Sequence, residues 1–421
     1  MALRDFTLGR RSLLAGAGAT GLAGCATLPR AKSDRFVRRD GMRFTRRGQP
    51  YRYAGANAWY LAWLGSDTRY GDRARLAREL DRLKAIGVGN VMVSFSSWQG
   101  KKMTGNKSLI TDVLKKRMGF GGFTVSDWNA HGQVEGCTND SCPQALMAGI
   151  DMYMAPDSWK PIYEDLLKRA KAGTIPLSRI DEAVSNILRV KFRLGVFTAG
   201  KPSSRPLAGQ WNVLGSPEHR AIARQAVRES LVLLKNQGVL PLKPGGRLLV
   251  AGEGADDISR AAGGWTITWQ GTGLTNAMFP GGTSLWKGLQ QAVVAAGGIA
   301  QLSPDGSFTQ KPDAAIVVFG EKPYAEFQGD RATLALDADL TGPYATMTKL
   351  KAQGIPVVAV MITGRPLEVN PALNAADAFV VAWLPGTEGG GLADVLIGDK
   401  AGKPRFDFSG TLPAAWPKTP S

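Results

Sequence analysis

Met118-Gly119-Phe120-Gly121-Gly122-Phe123-Thr124-Val125-Ser126-Asp127-Trp128 is the stretch on which the fold of this chain turns. Gly122 to Ser126 has the length and the aromatic and β-branched character of a buried strand, and a carboxylate, Asp127, stands just past its end. Upstream, Leu109 to Lys116 predicts a helix, and before it Asn90-Val91-Met92-Val93-Ser94-Phe95 predicts another buried strand. Downstream, after a loop holding Cys137 and Cys142, a short helix around Gln144 to Met147 leads to a predicted strand at Ile150-Asp151-Met152-Tyr153-Met154. Such alternation predicts parallel strands of a (β/α) barrel, in which pocket residues follow the C-terminal ends of the strands.

Working outward, Tyr53 to Asn57 is a further strand candidate. A helix follows from Asp72, a suitable N-cap, with Leu76, Leu80 and Leu83 on one face, and it ends near Gly87. On the other side, Ser178-Arg179-Ile180-Asp181 has the spacing of a capping box, and Ile180, Ala183, Val184, Ile187 and Leu188 recur at helical period up to Gly195. Residues 198–215 are rich in Pro, Gly and Ser, a linker composition. Beyond them, apolar strands at Leu248–Val250, Ala315–Phe319, Val357–Val360 and Phe379–Ala382 alternate with helical stretches. That pattern predicts a mostly parallel sheet covered on both faces. No internal repeat at a fixed period is found.

The chain has 421 residues, 44% of them hydrophobic and 21% charged, enough for two or three cores. Arg10 and Arg11 precede an apolar run from Ser12 to Gly24 that ends in Leu22-Ala23-Gly24-Cys25, the order of an export signal and too short to span a bilayer. The paired arginines resemble a twin-arginine signal, and Leu-Ala-Gly-Cys resembles a bacterial lipobox with Cys25 as the lipidated residue. These features predict an exported bacterial protein, periplasmic or anchored to the outer membrane as a lipoprotein, touching membrane only through that anchor. Of the three cysteines, Cys137 and Cys142 remain; in an oxidising compartment they form either a disulfide closing their loop or two small thiols. The net charge of +17 is spread out, and its densest patch, Arg30 to Arg47, follows the signal without interleaved stacking aromatics. It reads as a solvated tether, and no nucleic-acid partner is expected. His131 and His219 stand alone, with no metal set and no Ser/His/Asp arrangement. Gly252-Glu253-Gly254 lacks the third glycine of a dinucleotide loop, Asp256 and Asp257 would repel phosphate, and the run from Gly386 to Gly391 also reads as a turn.

By itself, an aspartate at a strand end is more often a helix cap or loop contact than a catalytic group. Met118 to Trp128, however, resembles the nucleophile motif of glycoside hydrolase family 3, the β-glucosidases and exo-β-glucanases. Ala148-Gly149-Ile150-Asp151-Met152-Tyr153-Met154, Ile187 to Gly195, Glu229 to Asn236, Gly263-Gly264-Trp265-Thr266, Gly364-Arg365-Pro366 and Trp383 to Gly389 are similar to further motifs of that family, in collinear order from about Ser94 to Ser421. The resemblance implies a retaining two-carboxylate glycosidase that releases terminal β-D-glucosyl residues from β-glucosides or glucan oligosaccharides, with no metal or organic cofactor. It implies Asp127 as nucleophile and Glu326, in Gly320 to Asp330, as acid/base, with Glu321 as the alternative. Trp128 and Trp265 resemble the two aromatic walls of the substrate site.

Residues 35 to 92 instead resemble the start of a glycoside hydrolase family 5 endo-β-mannanase: Phe36 to Gly41, Gly55-Ala56-Asn57 and Leu80 to Gly87. The resulting organisation is a signal peptide with lipobox at 1–25, a basic tether and mannanase-like barrel start at 26–92, a late family 3 barrel at 93–197, a linker at 198–215 and an α/β sandwich domain at 216–421. The expected fold class is α/β, an incomplete (β/α) TIM-type barrel followed by that sandwich. Only four barrel strands are legible where closure needs eight, so an open half-barrel favours a homo-oligomer. The residues of the earlier barrel strands that hold sugar hydroxyls in the family are missing, which gives the alternative expectation of a catalytically impaired, carbohydrate-binding envelope lipoprotein.

Overall fold

The computed structural model describes residues 88–412 and 414–420, with the short pieces 38–40, 43–46, 49–50, 72, 74–75 and 77–79. The chain divides into two compact units, residues 1–208 and 209–421. The signal peptide, Cys25 and the strand expected at 53–57 lie outside the described residues. Of the helix expected from Asp72 to Gly87, the described residues 74–75 and 77–79 are helical.

In the first unit, β1 (Arg38–Asp40), β2 (Arg43–Arg46) and β3 (Gln49–Pro50) form a short antiparallel meander. Strand β4 (Asn90–Val93) pairs in parallel with β7 (Phe123–Ser126), from Asn90 opposite Phe123 to Val93 opposite Ser126. Between them, β5 (Ser97–Trp98) and β6 (Lys101–Lys102) form a hairpin. Its two turn residues, Gln99 and Gly100, both have positive φ, the twist that a two-residue hairpin needs. The expected helix near 109–116 forms over Ser108–Arg117 but is wound as a π-helix, and it closes with Met118 N–H on the Val113 carbonyl five residues back. Helices α1 (Pro143–Ala148), α2 (Trp159–Lys171) and α3 (Leu177–Arg193) follow.

Two expectations fail in this unit. Residues 150–154 do not form a strand; only a single bridge joins Met152 to Val125. Side chains occupy positions that ladder bonds would need: Thr124 N–H donates to the Asp151 carboxylate, and Met154 N–H donates to Ser126 Oγ. Nor is there a capping box at Ser178. Helix α3 starts at Leu177 directly after Pro176, whose extended backbone sets the boundary, so Ser178 already lies in the first turn. The buried stripe of α3 is Arg179, Ala183, Asn186 and Val190, while Val184 and Leu188 are exposed. The helix is rotated so that its polar residues meet a buried carboxylate, described below.

The second unit is built on a six-stranded sheet in the order β10-β9-β11-β12-β13-β8. These are β8 (Val232–Asn236), β9 (Arg247–Ala251), β10 (Ile299–Leu302), β11 (Ala314–Gly320), β12 (Val357–Ile362) and β13 (Ala378–Trp383). All neighbours are parallel except β8, which runs antiparallel on the β13 edge, so the sheet is mixed. Alternate residues feed opposite faces. Leu248, Val250, Ile316, Val318, Val358 and Val360 join one core with α4 (Pro217–Ser230), α6 (Leu285–Ala295) and α9 (Gly390–Leu396). Leu249, Val317, Phe319, Ala359, Met361 and Phe379 join the other core with α7 (Gly342–Ala352) and α8 (Asn370–Ala375). Burial on both faces explains why these strands read as unbroken apolar runs. Among the described residues, no helix is long and apolar enough to cross a membrane.

Candidate active site

In the first unit, β7 ends at Ser126 and delivers Asp127 at its C-terminal end. The Asp127 backbone N–H donates to Val93 O on the neighbouring strand, and its carboxylate accepts from Trp128 N–H at 2.7 Å. Asp127 is partly exposed and the Trp128 ring is 56% exposed, so a carboxylate and an aromatic face stand together at one strand end. Asn129 then turns the chain with a left-handed φ of 54°.

A second carboxylate, Asp151, supports this strand end from below. Its side chain is fully buried and receives Lys115 Nζ at 2.8 Å, Arg179 Nη2 at 2.7 Å, Thr124 N–H at 3.0 Å and Asn186 Nδ2 at 3.4 Å. Arg179 also donates to the carbonyls of Leu146 and Ile150. One buried anion thus ties β7, α3, the π-helix and the end of α1 together, with nearly every lone pair used. The loop after Asp127 is closed by a disulfide between Cys137 and Cys142, whose Cα atoms lie 4.7 Å apart. His131 is buried in that loop with Nε2 2.8 Å from the Asn139 carbonyl and its ring edge-on to Tyr153.

In the second unit, the strand order is that of a doubly wound sheet whose switch point lies between β9 and β11. The chain runs from β9 outward to β10, then crosses back to β11, so the connections leaving β9 and β11 part to opposite sides. The loops that leave those two strands meet there. One follows α5 (Ile258–Ala262) and carries Trp265; the other follows β11 and carries Glu321 and Glu326. Gly320, with φ of 137°, ends β11 so close to the Ile362 carbonyl that an added Cβ would overlap it. Gly264 lets the first loop press on the second, since a Cβ there would overlap the Tyr324 carbonyl.

Glu326 is exposed, and its carboxylate is held from the first loop. Trp269 Nε1–H donates to Oε2 at 2.7 Å, and Trp265 Nε1–H is shared between Oε1 at 3.2 Å and Oε2 at 3.0 Å. The Trp269 hydrogen bond, with help from Trp265, holds the Glu326 carboxyl below its ordinary value despite some desolvation. Trp265, Ile267 and Phe327 are non-glycine residues with φ of 61°, 60° and 70°. Each such backbone costs roughly 1–2 kcal/mol, and strain of this kind gathers at functional sites. Trp265, Trp269 and Phe327 are all exposed and pack in series, with ring centroids 6.2 Å and 6.0 Å apart.

Glu321, five residues earlier, has a different setting. It is 5% exposed, and its carboxylate meets Thr363 Oγ1 at 2.7 Å, Tyr324 Oη at 3.2 Å, Gly364 N–H at 3.3 Å and Arg365 Nε at 3.0 Å, with Arg331 at 4.0 Å. Arg365 lies over the Tyr324 ring at 4.1 Å and donates to the Gly329 carbonyl. Glu321 and Arg365 therefore brace both ends of the loop on which Glu326 is displayed.

The residues that sequence reasoning missed are Asp151, Trp269, Gln270 and Phe327. Asp151 and Phe327 sit inside the quoted segments Ala148 to Met154 and Gly320 to Asp330 without being singled out there, while Trp269 and Gln270 follow Trp265 by four and five residues. Gly252 to Gly254 forms a turn after β9, with Asp257 capping α5 and Asp256 accepting from Ser284 Oγ. Among the described residues, no group of three His, Cys, Asp or Glu side chains could hold a metal ion.

Comparison with known proteins bears on both units. Residues 82–190 match the glycosyl hydrolase family 3 N terminal domain and residues 231–421 match the glycosyl hydrolase family 3 C-terminal domain. Residues 34–109 match a family 5 β-mannosidase-like domain, which overlaps the start of the former. The chain is 32% identical to a lysosomal beta glucosidase of Dictyostelium discoideum over 80% of its own length and 43% of the relative's, and 32% identical to a periplasmic beta-glucosidase of Salmonella typhimurium over 79% and 46%. Among solved structures, an exo-1,3/1,4-beta-glucanase from a Pseudoalteromonas species is 53% identical with a TM-score of 0.77, over 80% of this chain and 42% of that one. A beta-glucosidase from Listeria innocua is 27% identical with a TM-score of 0.63, over 75% and 44%. The chain thus spans less than half the length of the curated relatives it matches. Over residues 82–190 and 231–421, this chain belongs to glycosyl hydrolase family 3.

Proposed function

We propose that the protein is a glycoside hydrolase that releases terminal β-D-glucosyl units from β-glucosides or glucan oligosaccharides by a retaining, two-step mechanism. Asp127 attacks the anomeric carbon while Glu326 gives its proton to the departing oxygen; water activated by Glu326 then releases the sugar from Asp127. Trp128 and Trp265 offer ring faces on which pyranoses stack. The observation that carries the proposal is the setting of Glu326, an exposed carboxylate oriented by two indole N–H groups at the switch point of a parallel sheet, within a family 3 domain. Glu321 is assigned the bracing role because its lone pairs are already taken up by Thr363, Tyr324, Gly364 and Arg365.

In this proposal residues 93–197 supply the late strands of a (β/α) barrel and 216–421 the α/β sandwich domain, with 198–215 as linker, and an open barrel edge supports a homo-oligomer. The N-terminal 25 residues act as an export signal with Cys25 as the lipidated residue, which places the enzyme in the periplasm or on the outer membrane. A periplasmic relative supports export. The test is release of nitrophenol from a nitrophenyl β-D-glucoside by wild type, Asp127→Ala and Glu326→Gln. Wild-type turnover that persists unchanged in Asp127→Ala would refute the assignment.

A further inference from the structure

The geometry points to the segment Trp265–Gln270 as a positioning clamp for Glu326, in which Trp269 fixes the carboxylate and Gln270 fixes the backbone that carries it. This rests on Glu326 being the acid/base, and it adds which residues set that group's orientation. Gln270 grips the opposite loop with both ends of its amide: Nε2–H donates to the Glu326 carbonyl at 3.1 Å, and Oε1 accepts from Ala325 N–H at 2.7 Å. A side-chain amide used in this way replaces a pair of ladder hydrogen bonds and fixes the peptide that precedes Ala325 and the one that follows Glu326. From the same segment, Trp269 supplies the shorter of the indole bonds to the carboxylate at 2.7 Å, while Trp265, 70% exposed, makes longer ones. The clamp is itself closed: Trp265 N–H donates to the Trp269 carbonyl at 2.8 Å, and Gly271 N–H donates to Thr268 O.

The charged groups nearby have other partners. Lys322 pairs with Asp339 at 2.7 Å, and Arg331 pairs with Asp337. Arg365 is committed to Glu321 and the Gly329 carbonyl. The carboxylate of Glu326 is therefore oriented by neutral donors. This suits a group that must alternate between acid and base, because a cation at the same distance would hold the proton off throughout the cycle. An indole N–H also favours the ionised form, more weakly, so the clamp assists the base half of the cycle and opposes the acid half.

Trp269→Phe retains the ring and removes the N–H, and Gln270→Leu removes the backbone grip. The full chain labelled at tryptophan with 15N is titrated by NMR. In wild type, the Trp269 indole resonance should move with the ionisation of a single carboxylate, and Glu326→Gln should abolish that movement. An indole resonance that ignores both pH and Glu326→Gln overturns the inference. With a nitrophenyl β-glucoside, both Trp269→Phe and Gln270→Leu should lower kcat by roughly tenfold with KM changed less than about threefold. In Trp269→Phe the basic limb of kcat/KM should move to higher pH; unchanged kcat and pH profile in both variants also overturn it. Undiminished hydrolysis by Glu326→Gln would instead remove the acid/base assignment while leaving the indole titration intact, so the two failures are distinguishable.

Discussion

Replacing each of the two glutamates in the Gly320–Asp330 loop by glutamine separates bracing from chemistry. Glu321 is buried, and four donors converge on it within 3.3 Å. Glutamine keeps the volume but turns an amide NH2 toward at least one of those donors and leaves the Arg365 guanidinium without its anion. Breaking a buried pair costs about 3–5 kcal/mol. Because Arg365 is itself 20% exposed, the lower end applies, about 3 kcal/mol. For a unit of roughly 200 residues this lowers Tm by about 6–12 °C. Glu326 is exposed and its partners are neutral, so Glu326→Gln should leave Tm within about 2 °C while lowering kcat by roughly 10²–10⁴-fold. Scanning calorimetry of the full chain, paired with nitrophenyl glucoside turnover measured below the lower Tm, reads both quantities. If Glu321→Gln melts with wild type yet abolishes turnover, while Glu326→Gln keeps it, the roles drawn from burial are reversed.

Other perturbations follow from the same structure. Asp151→Ala takes the buried anion from Lys115 and Arg179 and leaves them only the half-exposed Glu182, at 3.5 Å and 3.3 Å, so it should destabilise the first unit by about 3 kcal/mol, the lower end for a broken buried pair, seen as a lower urea midpoint. For the Asp394 carboxyl, burial pushes upward, but the hydrogen bonds from Arg224 and Arg228 outweigh it and hold the group below its ordinary value. Its stabilisation is therefore complete above about pH 4 and is lost as pH falls through the depressed folded value. Urea midpoints of the second unit should fall as the pH is lowered from about 4 towards about 2, and less steeply in Asp394→Asn. In protein kept oxidised, Cys137 and Cys142 should resist iodoacetamide until reductant is added, with mass spectrometry counting the adducts.

Much of the fold was legible because buried parallel strands must be apolar on both faces. Four of the six strands of the second unit stand out as near-continuous runs of Leu, Val, Ile, Ala and Phe. The edge strands β8 and β10 were missed, since each pairs on one side only and is partly exposed. In the first unit, hydrophobic period chose the wrong stripe of α3. Arg179 and Asn186 are buried there because Asp151 needs donors, a demand that no local pattern of α3 announces. The strand expected at 150–154 failed for the same reason, because side chains of Asp151 and Ser126 took up backbone donors.

The amino-acid sequence by itself placed Asp127 at the end of a buried strand and put two glutamates in the loop after another. Period, composition and strand length are local properties, and they suffice for that. Which glutamate is displayed and which is buried was decided only by tertiary structure. Thr363 and Arg365 on one side, and Trp265, Trp269 and Gln270 on the other, come from distant parts of the chain to surround one short loop. A carboxylate's role depends on its solvation and its donors, and those are set by residues that the sequence keeps far apart and the sheet's switch point brings together.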